Sequence, residues 1–234
     1  TDICRLPKSP GYSGHVQWSR TNPNLLSFAG ADSPRGDIAL APNTSAGPTD
    51  YAARGQRLWV VDIREGVPRN VYLAEDGELV THESWWVRDQ ILFCGGKSPK
   101  LPEVSHVKAL DIYTGEVRVV GAGAWWSEAS AAEAARLNWW HASGSANGRW
   151  VAGDNWHGDI MLFEGKTTRP HLLTSGHRTY GKGEHPHVGW DRRGEKVIFG
   201  SHLLGNLNPC VATIPKAWQD QVAKNDDGLR SHRH

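Results

Sequence analysis

The chain has 234 residues, with 26 Lys and Arg against 25 Asp and Glu, so no large single-sign field draws it onto nucleic acid or an anionic membrane. Hydrophobic residues make up 38% and tryptophans number 12, enough for a folded core, while no apolar run approaches the roughly 18 residues of a membrane-spanning helix. A globular protein with a small-molecule partner fits these bounds, with neither nucleic acid nor membrane as partner.

In chain order, four stretches open on a histidine and run into an apolar, strand-like sequence: His15-Val-Gln-Trp, His82-Glu-Ser-Trp-Trp, His141-Ala-Ser-Gly-Ser and His185-Pro-His187-Val. About a strand and a turn downstream of each lies a second apolar run: Leu25–Phe28, Gln90–Phe93, Arg149–Ala152 and Lys196–Phe199. Asn22-Pro-Asn24, Val87-Arg-Asp89, Ala146-Asn-Gly148 and Arg192-Arg-Gly194 precede these runs with the polar and glycine-bearing chemistry that tight hairpins require. Further hairpins follow, Arg57–Ile63 through Arg64-Glu-Gly66 to Asn70–Leu73, and Val107–Ile112 through Tyr113-Thr-Gly-Glu116 to Val117–Val120.

Short strands with turns at regular intervals predict an all-β fold, a β-propeller of about four blades. The blades are placed at 12–75, 78–122, 139–175 and 185–218, with a polar and mobile tail over 219–234. Residues 31–56, rich in Pro, Gly and Ser, are expected to form a surface loop. The Ala-rich stretch Ser127–Leu137, with Ser130 and Glu133 spaced as a capping box, predicts one short helix. A start just before a blade suggests the C-terminal part of a longer propeller. Cys4, Cys94 and Cys210 are odd in number and lack C-x-x-C spacing, which points to reduced structural thiols and a cytoplasmic location without a secretory leader.

The histidines carry the chemistry. His185 and His187, spaced i and i+2, would present both imidazoles on one face of a strand, and His141 at the matching corner of the preceding blade is the natural third donor of a metal site. His82, in the same register one blade earlier, could take a proton from a metal-held substrate or be a structural histidine bonded between blades. Arg57 could hold a carboxylate bidentately, and His15 shares the rim. The Trp pairs 85/86, 125/126 and 139/140 read mainly as core between blades, with sugar stacking as the other use of such faces.

In order and register these residues resemble the oligogalacturonate lyases of pectin degradation, which are seven-bladed propellers. The resemblance runs through Gly14-His15, Asn24–Phe28, Arg57-Leu-Trp59, Thr81-His82-Glu83, Trp86-Val87, His141, Asn147-Gly148, Val151–Asp154 and His185-Pro-His187. It implies a metal-dependent lyase that cleaves short oligogalacturonides by β-elimination and releases unsaturated uronates. His82 would be the general base and Arg57 an assisting residue, with manganese held by His141, His185 and His187. The family's glutamine ligand, three residues before His-Pro-His, is replaced by Lys182. Glu184 could then supply an oxygen ligand, while His15 and Lys182 are candidates for substrate binding. A non-catalytic propeller that binds a sugar or protein partner is the alternative.

Overall fold

The computed structural model describes residues 14–30, 57–75, 77–97, 104–124, 126–177 and 186–231. The expectations on Cys4, the loop 31–56, Lys182, Glu184 and His185 lie outside these residues. The described chain is all-β with little helix, arranged as successive antiparallel sheets. The first holds β1 (Gly14–Trp18), β2 (Leu25–Ala29), β3 (Leu58–Asp62) and β4 (Pro68–Tyr72), and the second holds β5 (Leu79–Trp85), β6 (Gln90–Gly96), β7 (His106–Asp111) and β8 (Val117–Gly121). The third is formed by β9 (Trp139–Gly144), β10 (Trp150–Asn155), β11 (Ile160–Glu164) and β12 (Pro170–Thr174), and the fourth by β13 (Gly189–Trp190), β14 (Lys196–Ser201) and β15 (Asn208–Thr213). The first strands contact one another in series, β1 with β5, β5 with β9 and β9 with β13, so they line a common axis while each sheet runs outward as a meander. This is β-propeller architecture.

Local chemistry places the turns. Gly66, Gly115, Gly148 and Gly194 adopt φ of 70°, 75°, 73° and 70°, the left-handed backbone that glycine enters without a Cβ clash. Arg88 and Asp89 take positive φ in the equivalent turn of the second sheet, and the Asp89 carboxylate ties it to its neighbours. It accepts from Ser19 Oγ at 2.9 Å, Thr21 Oγ1 at 2.6 Å and Tyr113 OH at 2.9 Å.

The core lies between sheets, and strand alternation builds it. On β10, Val151 faces the second sheet among Leu92, Cys94, Val107 and Ala109. Its neighbours Trp150 and Ala152 face the fourth, against Val197 and Phe199. A strand clad on both faces therefore reads as an unbroken apolar run. Trp85, Trp150 and Phe93 are fully buried, and each such side chain stabilises the fold by about 1.5–3 kcal/mol.

Helix α1 (Ala131–Arg136) carries the expected reciprocal capping box, with Ser130 Oγ accepting from Glu133 N and Glu133 Oε2 accepting from Ser130 N. Residues 216–231 form helix α2 (Lys216–Ser231) across the start of the stretch read as a mobile tail. Trp218 and Val222, one turn apart, share a face that packs on the cluster between the third and fourth sheets, and Trp218 meets His171 at a ring separation of 4.8 Å. Trp59, Trp85, Trp86, Trp139 and Trp150 are core, whereas Trp18, Trp126 and Trp156 are exposed. Cys94 and Cys210 are free thiols. Among the described residues no helix is long and apolar enough to cross a membrane.

Candidate functional site

Three of the axial histidines sit on the same unusual backbone. His15, His82 and His187 have φ of 48°, 52° and 48°, a region that non-glycine residues enter uncommonly and histidine more readily than most. For His15 and His82 this coincides with register shifts, between Gly14 and Gln17 in β1 and between Thr81 and Ser84 in β5. A bulge at the head of an inner strand re-aims one side chain out of the sheet's alternation, and here it turns each histidine toward the axis. His187, rather than His185, is therefore the counterpart of His15 and His82. In β9 the register shift falls one residue earlier, between Trp139 and His141, and leaves His141 paired in register with Asp154.

The result is a line of imidazoles. The His82 and His141 ring centroids are 4.1 Å apart, those of His141 and His187 3.9 Å, and His15 stacks on His82 at 6.4 Å with an interplanar angle of 19°. Behind His141 stands Asp154, only 1% exposed at its side chain. Its carboxylate takes the His141 Nδ1–H at 2.9 Å, the His141 backbone N–H at 2.8 Å and the His187 backbone N–H at 3.0 Å. One buried carboxylate thus fixes both residues. By holding the proton on Nδ1 of His141 it leaves Nε2 as the nitrogen that carries the lone pair.

His82 has no such carboxylate. Its Nδ1 lies 3.2 Å from Thr81 Oγ1, and the ring packs edge-on against Trp140 at 4.8 Å. Burial, then the charges of His141 and Arg57, and lastly His15, push its pKa down to about 2, opposed by a hydrogen bond to the Trp140 backbone. It is neutral throughout the physiological range.

Arg57 lies in a second, charged cluster beside the imidazole line. Its Nε donates to Glu83 Oε2 at 2.9 Å, with side-chain exposures of 5% and 1%. Glu83 Oε1 is 3.1 Å from Nδ1 of His15, which also lies 3.3 Å from Arg57 Nη2. His15, half exposed, is the member of this cluster that meets solvent.

The structure therefore brings His15, His82, His141, His187 and Arg57 together at one end of the axis. Asp154 and Glu83 belong to the site although sequence reading assigned them no role. A signal existed for both, since Asp154 ends a strand in register with His141 and Glu83 follows His82 directly. What could not be read was that Glu83 faces Arg57 and His15 of the neighbouring sheet.

The donor set agrees in part with a divalent metal. Two contacting imidazoles, one with its tautomer set by a carboxylate, are ligand chemistry suited to a divalent transition metal. Among the described residues, however, no group of three His, Cys, Asp or Glu is arranged to hold an ion.

Neither a protein-family model nor a curated protein matches the chain. Among solved structures, an oligogalacturonate lyase in complex with manganese is similar at a TM-score of 0.60 and 18% identity, covering 88% of this chain and 49% of its own. An oligogalacturonate lyase from Vibrio parahaemolyticus also reaches 0.60, at 16% identity, over 88% of this chain and 50% of its own. TolB from Acinetobacter baumannii reaches 0.52 at 12% identity, over 85% of this chain and 40% of its own. The chain thus spans about half the length of the lyases it matches. At these identities the likeness is one of fold, and it is to β-propellers, with oligogalacturonate lyases at a higher TM-score than TolB.

Proposed function

We propose that this chain carries the active site of a metal-dependent lyase that cleaves short oligogalacturonides by β-elimination. The observation that supports the reading most is the imidazole line, a neutral His82 in ring contact with a His141–His187 pair held by one buried carboxylate. Likeness of fold to two oligogalacturonate lyases, one in complex with manganese, agrees with it.

On this reading His141, His185 and His187 would hold a divalent metal, most naturally manganese, with Glu184 as a further candidate donor. Bound there, such a metal would supply Lewis-acid chemistry, drawing negative charge toward the uronate carboxylate as the C5 proton leaves. His82 is the base. Its pKa of about 2 makes it a weak one by itself, and the carboxylates of a bound uronide would raise it by offsetting the neighbouring positive charge. Asp154 keeps the His141 lone pair on Nε2, and Arg57 contributes a fixed positive charge beside the site. No water is consumed, unlike in a hydrolase with paired carboxylates.

Incubation with trigalacturonate and manganese, followed by the ultraviolet absorbance of the unsaturated uronate, tests the proposal. The expected outcome is product from the parent and a loss of about 10²–10⁴-fold in kcat for His82→Ala. Sugar binding without product would support the non-catalytic propeller instead.

A further inference from the structure

β-Elimination needs two proton transfers, one from C5 and one to the departing oxygen, and His82 accounts for the first. We propose that His15 is the general acid that protonates the leaving oxygen, oriented by Glu83; this assignment rests on the lyase reading above. Three observations carry it. His15 stacks nearly parallel to His82, with 6.4 Å between ring centroids. An acid and a base that serve adjacent carbons, each about 3 Å from its reacting atom, must stand close to one another, as these two rings do. Its side chain is 50% exposed, so a sugar oxygen can reach it, whereas the Arg57 side chain is 5% exposed with its Nε held on Glu83. Finally, the carboxylate behind it is built for the role. Glu83 Oε1 stands 3.1 Å from Nδ1 of His15, and Oε2 is anchored by Arg57 at 2.9 Å.

This is the carboxylate–imidazole arrangement in which a buried acid holds the ring in place. In protonated His15, Nδ1–H would donate to Glu83 instead of accepting from the Arg57 Nη2 beside it, leaving Nε2–H as the transferable proton. In the elimination the C5–H bond breaks and its proton passes to the nitrogen of His82 that carries the lone pair. The electron pair forms the C4=C5 double bond, the C4–O4 bond breaks with its electrons on O4, and O4 takes the Nε2 proton of His15. His82 ends protonated and His15 neutral, and exchange with solvent restores both. The protonated cluster of Arg57, Glu83 and His15 carries one net positive charge, which suits an anionic sugar.

The test uses two leaving groups. His15→Ala should lower kcat/KM on trigalacturonate by about 10²-fold or more, and added imidazole should restore part of it. On a 4-deoxy-4-fluoro-galacturonide, whose fluoride departs without a proton, the same variant should lose less than about threefold. Equal losses on both substrates would overturn the assignment of His15 and leave the lyase reading intact. Should the parent act on trigalacturonate alone, imidazole rescue of His15→Ala supports the assignment and its absence overturns it. A parent inactive on both takes down the lyase reading, and this assignment with it. An unchanged melting temperature for His15→Ala separates chemistry from folding.

Discussion

Two histidines one blade apart share a backbone conformation and a place in their strands, yet their surroundings are opposite. His15 leans on Glu83, which is paired in turn with Arg57, whereas His82 packs against Trp140 and His141 in a pocket that drives its pKa to about 2. The difference comes from what lies behind each imidazole. At His15 it is a carboxylate within hydrogen-bond distance, and at His82 it is burial against Trp140 and His141, which disfavours a proton. A repeated structural unit can in this way supply chemically different groups from one residue type, set apart by environment alone.

The comparison can be broken most severely at Glu83. Replacing it with Ala leaves the Arg57 guanidinium buried without its carboxylate, and denaturant unfolding should show a loss of about 3–5 kcal/mol. Replacing Arg57 and Glu83 together with well-packed apolar residues should recover most of it. On the imidazole side, Asp154→Asn frees the His141 tautomer and weakens the hold on His187. Manganese affinity in a chelator competition should fall about 10–100-fold, a change of roughly 1.4–2.7 kcal/mol.

Gly144 sharpens the comparison between blades. His15, His82 and His187 are each followed three residues later by a tryptophan, Trp18, Trp85 and Trp190, whereas His141 is followed by Gly144. Trp85 and Trp190 donate to the preceding blade at Gln17 O and Ser143 O, at 3.1 and 2.8 Å. At Gly144 the Trp86 indole already fills the space, and an added Cβ would lie 2.0 Å from its Cδ1. Gly144→Ala should therefore cost about 1–3 kcal/mol from overpacking.

Per pH unit, the smallest expected effect is in the pH dependence of stability. The folded-state pKa of His82 is depressed to about 2 from an ordinary value of 6.5, so between these values the unfolded chain binds the extra proton. The stability linked to His82 is fully present above about pH 6.5 and falls as pH drops through that window, with a slope of at most about 1.4 kcal/mol per pH unit. In metal-free protein, His82→Gln should flatten this part of the stability profile. An unchanged slope would mean that His82 is protonated in the folded state.

Much of the fold was legible because its determinants are local. Glycines at positive-φ turn positions, period-two alternation and the Ser130–Glu133 capping box depend on residues within a few positions of one another, and the strands and α1 follow them. Helix α2 was missed because its sequence is largely polar, and its apolar contacts, Trp218 and Val222, reveal their purpose only against the third and fourth sheets. The tryptophans likewise could not be sorted from sequence. Trp85 and Trp86 are adjacent and both buried, while Trp18, the repeat counterpart of Trp85, is exposed.

By itself the sequence determined the repeating unit, the turns and a histidine near the head of each inner strand, since backbone preference and side-chain period are properties of short segments. The tertiary structure decided which carboxylate stands behind which imidazole. Asp154 faces His141 across a hairpin and also takes the His187 backbone N–H of the next blade, and Glu83 meets Arg57 and His15 from the preceding blade. Charge and burial act through space, over contacts between residues 13 to 68 positions apart, and only the side-by-side packing of successive sheets brings those residues together.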